Sequence, residues 1–129
     1  MKKYYLRPVE FDYFKKRISY WANRLGSIDT RFHIERRNEK DPNVRATYRE
    51  YKSPACVWIW LNSVINEPYT KALLDQIAYH EIFEITFLAP LRYMALDTYN
   101  LDTVDEQVHV AINKAMNCFY KDLRGINWV

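Results

Sequence analysis

Glycine is nearly missing from this chain, with two in 129 residues. Prolines number only five, so no stretch has the composition of a flexible linker, and one domain spanning 1–129 is expected. Cysteine is as scarce. Cys56 and Cys118 stand alone, without metal-ligand or disulfide-framework spacing, and read as reduced thiols of a cytoplasmic protein. No apolar run approaches the length of a membrane span, so no membrane partner is expected. The opening Met1-Lys2-Lys3-Tyr4-Tyr5-Leu6-Arg7-Pro8 has no apolar core of a secretory signal, which also points to the cytoplasm. Basic residues are missing between Lys71 and Arg92.

What is present is a globular composition, 49% hydrophobic and 27% charged. Aromatic residues reach 16%, with eleven tyrosines, which predicts a core or groove lined by rings with polar tips. The net charge of +3 is unevenly spread. Residues 1–52 carry a net +7 and residues 53–129 a net −4. The basic half suits an acidic partner, although solvated helix and strand faces explain it more simply.

Periodicity gives the elements. Phe11, Phe14, Ile18, Trp21 and Leu25 recur at spacings of three and four, predicting an amphipathic helix over about 9–25 that starts near Pro8 and stops at Gly26. Residues 31–36 and 44–51 alternate apolar and polar as half-buried strands do, and 38–43 is a turn cluster. Residues 55–61 are apolar on both faces and predict a covered strand. Three strands joined by short turns read as an antiparallel meander. A loop at 62–68 leads to a helix from about Tyr69, which Pro90 is expected to interrupt. A short helical piece at 91–96 and a loop at 97–101 follow. Thr103 with Glu106 matches a capping box at the start of a last helix running to about Asp122, and 124–129 is a tail. The expected class is α+β, with an N-terminal helix, an antiparallel-rich three-stranded sheet, and two later helices on one face.

The chemistry concentrates in the middle helix, where His80-Glu81-Ile82-Phe83-Glu84 spells H-E-x-x-E. Positions four apart share one face of an α-helix, so His80 and Glu84 can reach one ion from one side. Glu81 lies about 100° around the helix from His80 and can reach a water on that ion. The arrangement is that of H-E-x-x-H metallohydrolases with a carboxylate for the second histidine. In the plain alternative the cluster is on the surface, with Glu81 and Glu84 as ordinary helix formers. Against it stand the apolar neighbours, since buried carboxylates need partners. The last helix offers a third ligand, His109 first and Glu106 second. Asp105 or Glu106 can also hydrogen-bond a ligand imidazole. Zn2+ with three protein ligands and one open position is the expected cofactor, with Glu81 as proton acceptor.

The order of elements, with His80-Glu81-Ile82-Phe83-Glu84 followed by Val108-His109-Val110-Ala111-Ile112-Asn113-Lys114-Ala115, resembles small zincin-like metallopeptidase-type proteins encoded in phages and prophages. The resemblance implies a zincin-like fold and zinc at His80, Glu84 and a residue of the last helix. It implies peptide hydrolysis more weakly. This chain departs from the stricter peptidases in having Glu84 for histidine and no glycine-bearing turn after the motif.

Two functions follow as expectations. One is a zinc-dependent hydrolase of the peptidase type, holding an extended peptide by strand addition. The other is a non-enzymatic phage accessory protein that binds a host protein or nucleic acid on the same scaffold. Arg31, Arg36, Arg37, Lys40, Arg45 and Arg49, interleaved with Phe32 and Tyr48, can hold nucleic acid, although no recognised motif accompanies them. His33 reads as a surface residue, and core packing is the expected role of Trp58 and Trp60. Tyr93 or Tyr99 can donate to a tetrahedral intermediate.

Overall fold

The computed structural model describes residues 2–27, 29–51, 56–95 and 100–116, with backbone alone at 92–94 and 101. The expected tail at 124–129, the end of the last helix near Asp122, Cys118, Tyr99 and the side chain of Tyr93 lie outside the described residues. The fold is mixed α+β with two small sheets. Contacts divide the chain into two compact units, Met1–Ile82 and Phe83–Val129.

The first unit opens with a short strand, β1 (Tyr4–Tyr5), and a helix, α1 (Pro8–Leu25). Pro8 takes the first helical position, where its missing N–H costs nothing. The Arg7 N–H donates to Glu10 Oε1 at 2.9 Å, and the Arg7 guanidinium holds Oε2 of the same carboxylate at 2.9 Å. Gly26 ends the helix in the left-handed region, at φ 91°, with its N–H returned to the Ala22 carbonyl. Phe14, Arg17, Ile18, Trp21 and Ala22 form the buried stripe.

Three strands follow: β2 (Arg31–Arg37), β3 (Ala46–Glu50) and β4 (Cys56–Asn62). Their order is β2-β4-β3, with β2 parallel and β3 antiparallel to β4. This corrects the expected meander. The strand richest in apolar residues takes the centre, so β2 and β3 flank it and never pair with each other. The connection over 38–45 therefore crosses two strand spacings of about 4.8 Å each. Asn62, fully buried, clamps this connection. Its Nδ2 donates to the carbonyls of Asp41 (3.0 Å) and Val44 (2.6 Å), and its Oδ1 accepts from Glu39 N (3.1 Å) and Val64 N (3.3 Å). The Tyr69 hydroxyl donates to the Asn62 carbonyl at 2.5 Å, and burial raises the pKa of that phenol. The expected loop at 62–68 also contains a strand, β5 (Val64–Ile65), paired antiparallel with β1.

Val57, Ile59 and Leu61 are buried on one face of β4. Trp58 and Trp60, on the other, are only partly covered, so they are not the core residues that the sequence suggested. A further helix, α2 (Lys71–Phe83), starts where Thr70 Oγ1 accepts from Leu73 N at 3.1 Å. It is tied to α1 by Asp75, whose Oδ1 accepts from Arg17 Nε (2.5 Å) and Trp21 Nε1 (2.9 Å). The rings of Trp21 and Tyr79 meet edge-on at 5.0 Å.

Past Phe83 the helix does not break at Pro90. It widens into a π turn (Glu84–Leu88) and continues as α3 (Ala89–Ala95). The Ala89 N–H donates to the Glu84 carbonyl, five residues back. Pro90 has no N–H, and in an α-helix its ring would meet the carbonyl four residues back, that of Thr86. The wider turn absorbs this conflict. A final helix, α4 (Leu101–Ala115), is capped by Asn100, whose Oδ1 accepts from Thr103 N at 2.9 Å. The N-cap thus lies three residues before the expected Thr103, and Asp102 sits in the first turn, where a negative charge is favoured. Val104, Val108 and Ile112 make the core of the second unit with Phe83, Leu88 and Ala95. No helix among the described residues is long and apolar enough to cross a membrane.

Candidate functional site

The H-E-x-x-E turn sits where two helix geometries meet. His80 and Glu81 lie in the last turn of α2, and Glu84 is the first residue of the π turn. The backbone at Phe83 is still right-handed helical, at φ −61° and ψ −46°, so the spacing of His80 and Glu84 follows a helix up to that point. Apolar residues surround the turn in sequence. Ile77, Ala78, Tyr79, Ile82 and Ile85 are all buried. Glu81 and Glu84 are buried with them, at 6% and 8% exposure, while His80 is half-buried. Two carboxylates three residues apart are therefore withdrawn from water, which is costly unless each is partnered. His80, Glu81 and Glu84 each take part in a polar, ionic or ring interaction.

The division into units falls inside the motif, after Ile82. Glu84 belongs to the second unit, together with the three candidates on α4. There Asp105 and His109 stand one helical turn apart, beside the buried Val104 and Val108. Asp105 is half-buried and His109 exposed, and both are engaged in interactions of their own. Glu106 is exposed, on the side of α4 away from Val104 and Val108.

Among the described residues, which include all six candidates, no group of three or more His, Cys, Asp or Glu is placed to hold a metal ion. By donor chemistry the turn fits zinc, since imidazole nitrogen and carboxylate oxygen are its usual ligands. By donor number the turn itself offers His80 and Glu84, two of the three protein ligands that a hydrolytic zinc centre uses. An apolar cavity of about 320 Å³ lies in the second unit, lined by Leu88, Leu91, Val104 and Val108 among others. Its lining among the described residues is apolar apart from Thr103 and Gln107, and includes none of the six candidates.

Two features escaped the sequence reading. Arg17 and Asp75 form a buried ion pair, the one at 5% and the other at 0% exposure. The signal was available, because each charge interrupts an apolar stripe: Phe14 and Trp21 flank Arg17, and Leu74 and Ile77 flank Asp75. The arginine also lies 4.0 Å from the Tyr20 ring centroid. The second feature is the ring ladder on the outer sheet face. His33 and Trp58 stack at 4.6 Å, Trp58 and Trp60 at 6.1 Å, and Arg37 covers the Trp60 ring at 4.1 Å. His33 is thus half-buried beneath a ring and not a simple surface residue.

No protein-family model matches the chain, and comparison with curated proteins and with solved structures finds no significant match.

Proposed function

We propose that the protein is a zinc-dependent hydrolase of the peptidase type, working at the His80–Glu84 turn. One observation carries the reading. His80 and Glu84 stand four positions apart on one helical stretch, the first half-buried and the second buried, with Glu81 buried between them in sequence. Their nitrogen and oxygen donors suit zinc. In this reading His80 and Glu84 hold the ion, and His109, Glu106 or Asp105 of α4 supplies the third donor. A bound zinc ion would bring the pKa of water to near neutrality. Glu81, off the ligand face, accepts a proton, and an edge strand of the sheet, β2 or β3, holds an extended peptide by backbone hydrogen bonds.

A second reading is favoured by the outer sheet face, where exposed arginines and partly covered rings lie together. Here the chain is a non-enzymatic accessory protein that binds a host protein or nucleic acid. Metal content separates the two. Tag-free protein from a metal-supplemented culture should contain about one zinc per chain if the first holds. It should also cleave members of a mixed peptide library, with cleavage lost on chelation and restored by zinc. Metal-free protein that takes up no zinc on titration would leave the second reading.

A further inference from the structure

The hydrolase reading leaves unused the outer face of the sheet, which lies wholly within the first unit. Outward positions on the central strand are Trp58 and Trp60. Their direct partners are His33 and Arg49 beside Trp58, and Glu35 and Thr47 beside Trp60. Arg31 and Arg37 complete the outward row of β2. Tyr51 follows β3, 43% exposed, with its ring edge-on to Trp58 at 6.3 Å and Arg49 over it at 5.4 Å. A solvated sheet face is ordinarily polar. This one carries two neighbouring indoles, an imidazole and a phenol, with arginines on both flanking strands.

We infer that this face binds single-stranded nucleic acid, with Trp58 and Trp60 stacking on successive bases and Arg31, Arg37 and Arg49 holding phosphates. Every base has a π face, so a ring platform inside a basic frame recognises single strands with little regard to sequence. His33 stacks on Trp58 at 4.6 Å and Arg37 covers Trp60 at 4.1 Å, so a base stacks on an indole by displacing one of these two neighbours. Arg31 and Arg49 are exposed. Arg37 is shared with Glu39, at 2.8 Å, and Glu35 is the acidic residue on the outward row. The wider charge agrees in sign, since residues 1–52 are net +7. Duplex is disfavoured because its bases are already stacked and its grooves do not open to a flat row of rings.

The test uses the full chain without added metal, titrated with oligo(dT) and oligo(U) of about twelve nucleotides while tryptophan fluorescence is followed. Saturable quenching is expected, with affinity falling at least tenfold between about 50 and 200 mM salt. A duplex of equal length should bind more weakly. Trp58→Ala and Trp60→Ala should each weaken binding by about 5–100-fold. Arg31→Ala and Arg49→Ala should weaken it and lower the salt slope by about one each. Those arginines are exposed, so their variants carry the test if an indole variant fails to fold. Absence of quenching with both oligomers would overturn the inference, as would indole variants that bind like wild type. Stronger binding to polyglutamate than to either oligomer would replace it with an acidic protein partner. Equal affinity for duplex would reduce it to a phosphate contact without stacking, and the inference would fail.

Discussion

The imidazole of His33 lies almost parallel to the indole of Trp58, at an interplanar angle of 16° and a centroid distance of 4.6 Å. The contact exists because the two residues are direct partners in the parallel β2–β4 ladder. Such ring pairs contribute about 0.5–1.5 kcal/mol beyond their burial. His33→Ala should lower stability by about that amount in urea unfolding, with a change in tryptophan emission in the native state. An unchanged emission spectrum would mean that the rings do not stack in solution.

Arg17 and Asp75 lie 58 positions apart and join α1 to α2 inside the core. Removing either partner strands a charge. Asp75→Ala and Arg17→Ala should each cost about 3–5 kcal/mol, measured by denaturant or thermal unfolding. The double replacement Arg17→Met with Asp75→Leu should cost much less than the two single losses together, because no buried charge is left behind. Additive losses would show that the pair is not coupled.

Asn62 satisfies both ends of its amide against four backbone groups of the 38–45 connection and β5. Asn62→Leu should therefore destabilise the chain by about 2–4 kcal/mol, since several buried backbone groups lose their partner together. Hydrogen exchange should accelerate first at Glu39 and Val64, the two amides that donate to its Oδ1. Uniform acceleration across the sheet would place the clamp elsewhere.

Glu81→Gln and Glu84→Gln separate the roles proposed for the two carboxylates. If Glu81 accepts a proton, the first change keeps zinc stoichiometry and lowers peptide turnover by about 10²–10⁴. If Glu84 is a ligand, the second change weakens zinc binding. Equal activity in wild type and Glu81→Gln removes Glu81 from the mechanism.

Tyr79 has its pKa pushed up to about 12 by burial. A folded-state pKa above the unfolded value of 10 favours folding in full below pH 10. That contribution fades as pH rises through 12, because the unfolded chain ionises first. Tyr79→Phe should thus flatten the loss of stability between pH 10 and pH 12, read by urea midpoints across that range. An unchanged slope would mean that Tyr79 ionises with the exposed tyrosines.

The amino-acid sequence by itself determined the local elements. Apolar spacing along α1, Gly26 at its end and alternation in β2 and β3 are properties of neighbouring residues, so they can be read without knowing what packs where. The H-E-x-x-E turn was legible for the same reason, as a helical spacing in an apolar run, and Glu81 and Glu84 are buried there with His80 half-buried. Tertiary structure decided the rest. Alternation does not say which strands pair, so the parallel β2–β4 ladder and the β1–β5 pair were invisible. The π turn depends on a conflict between Pro90 and a carbonyl that arises only if the helix continues beyond it. Trp58 and Trp60 were legible as sharing one face, but which face meets the core depends on what packs against the sheet. Whether a residue of α4 joins the proposed pair His80 and Glu84 is a matter of separate helices, and no spacing within one helix specifies it.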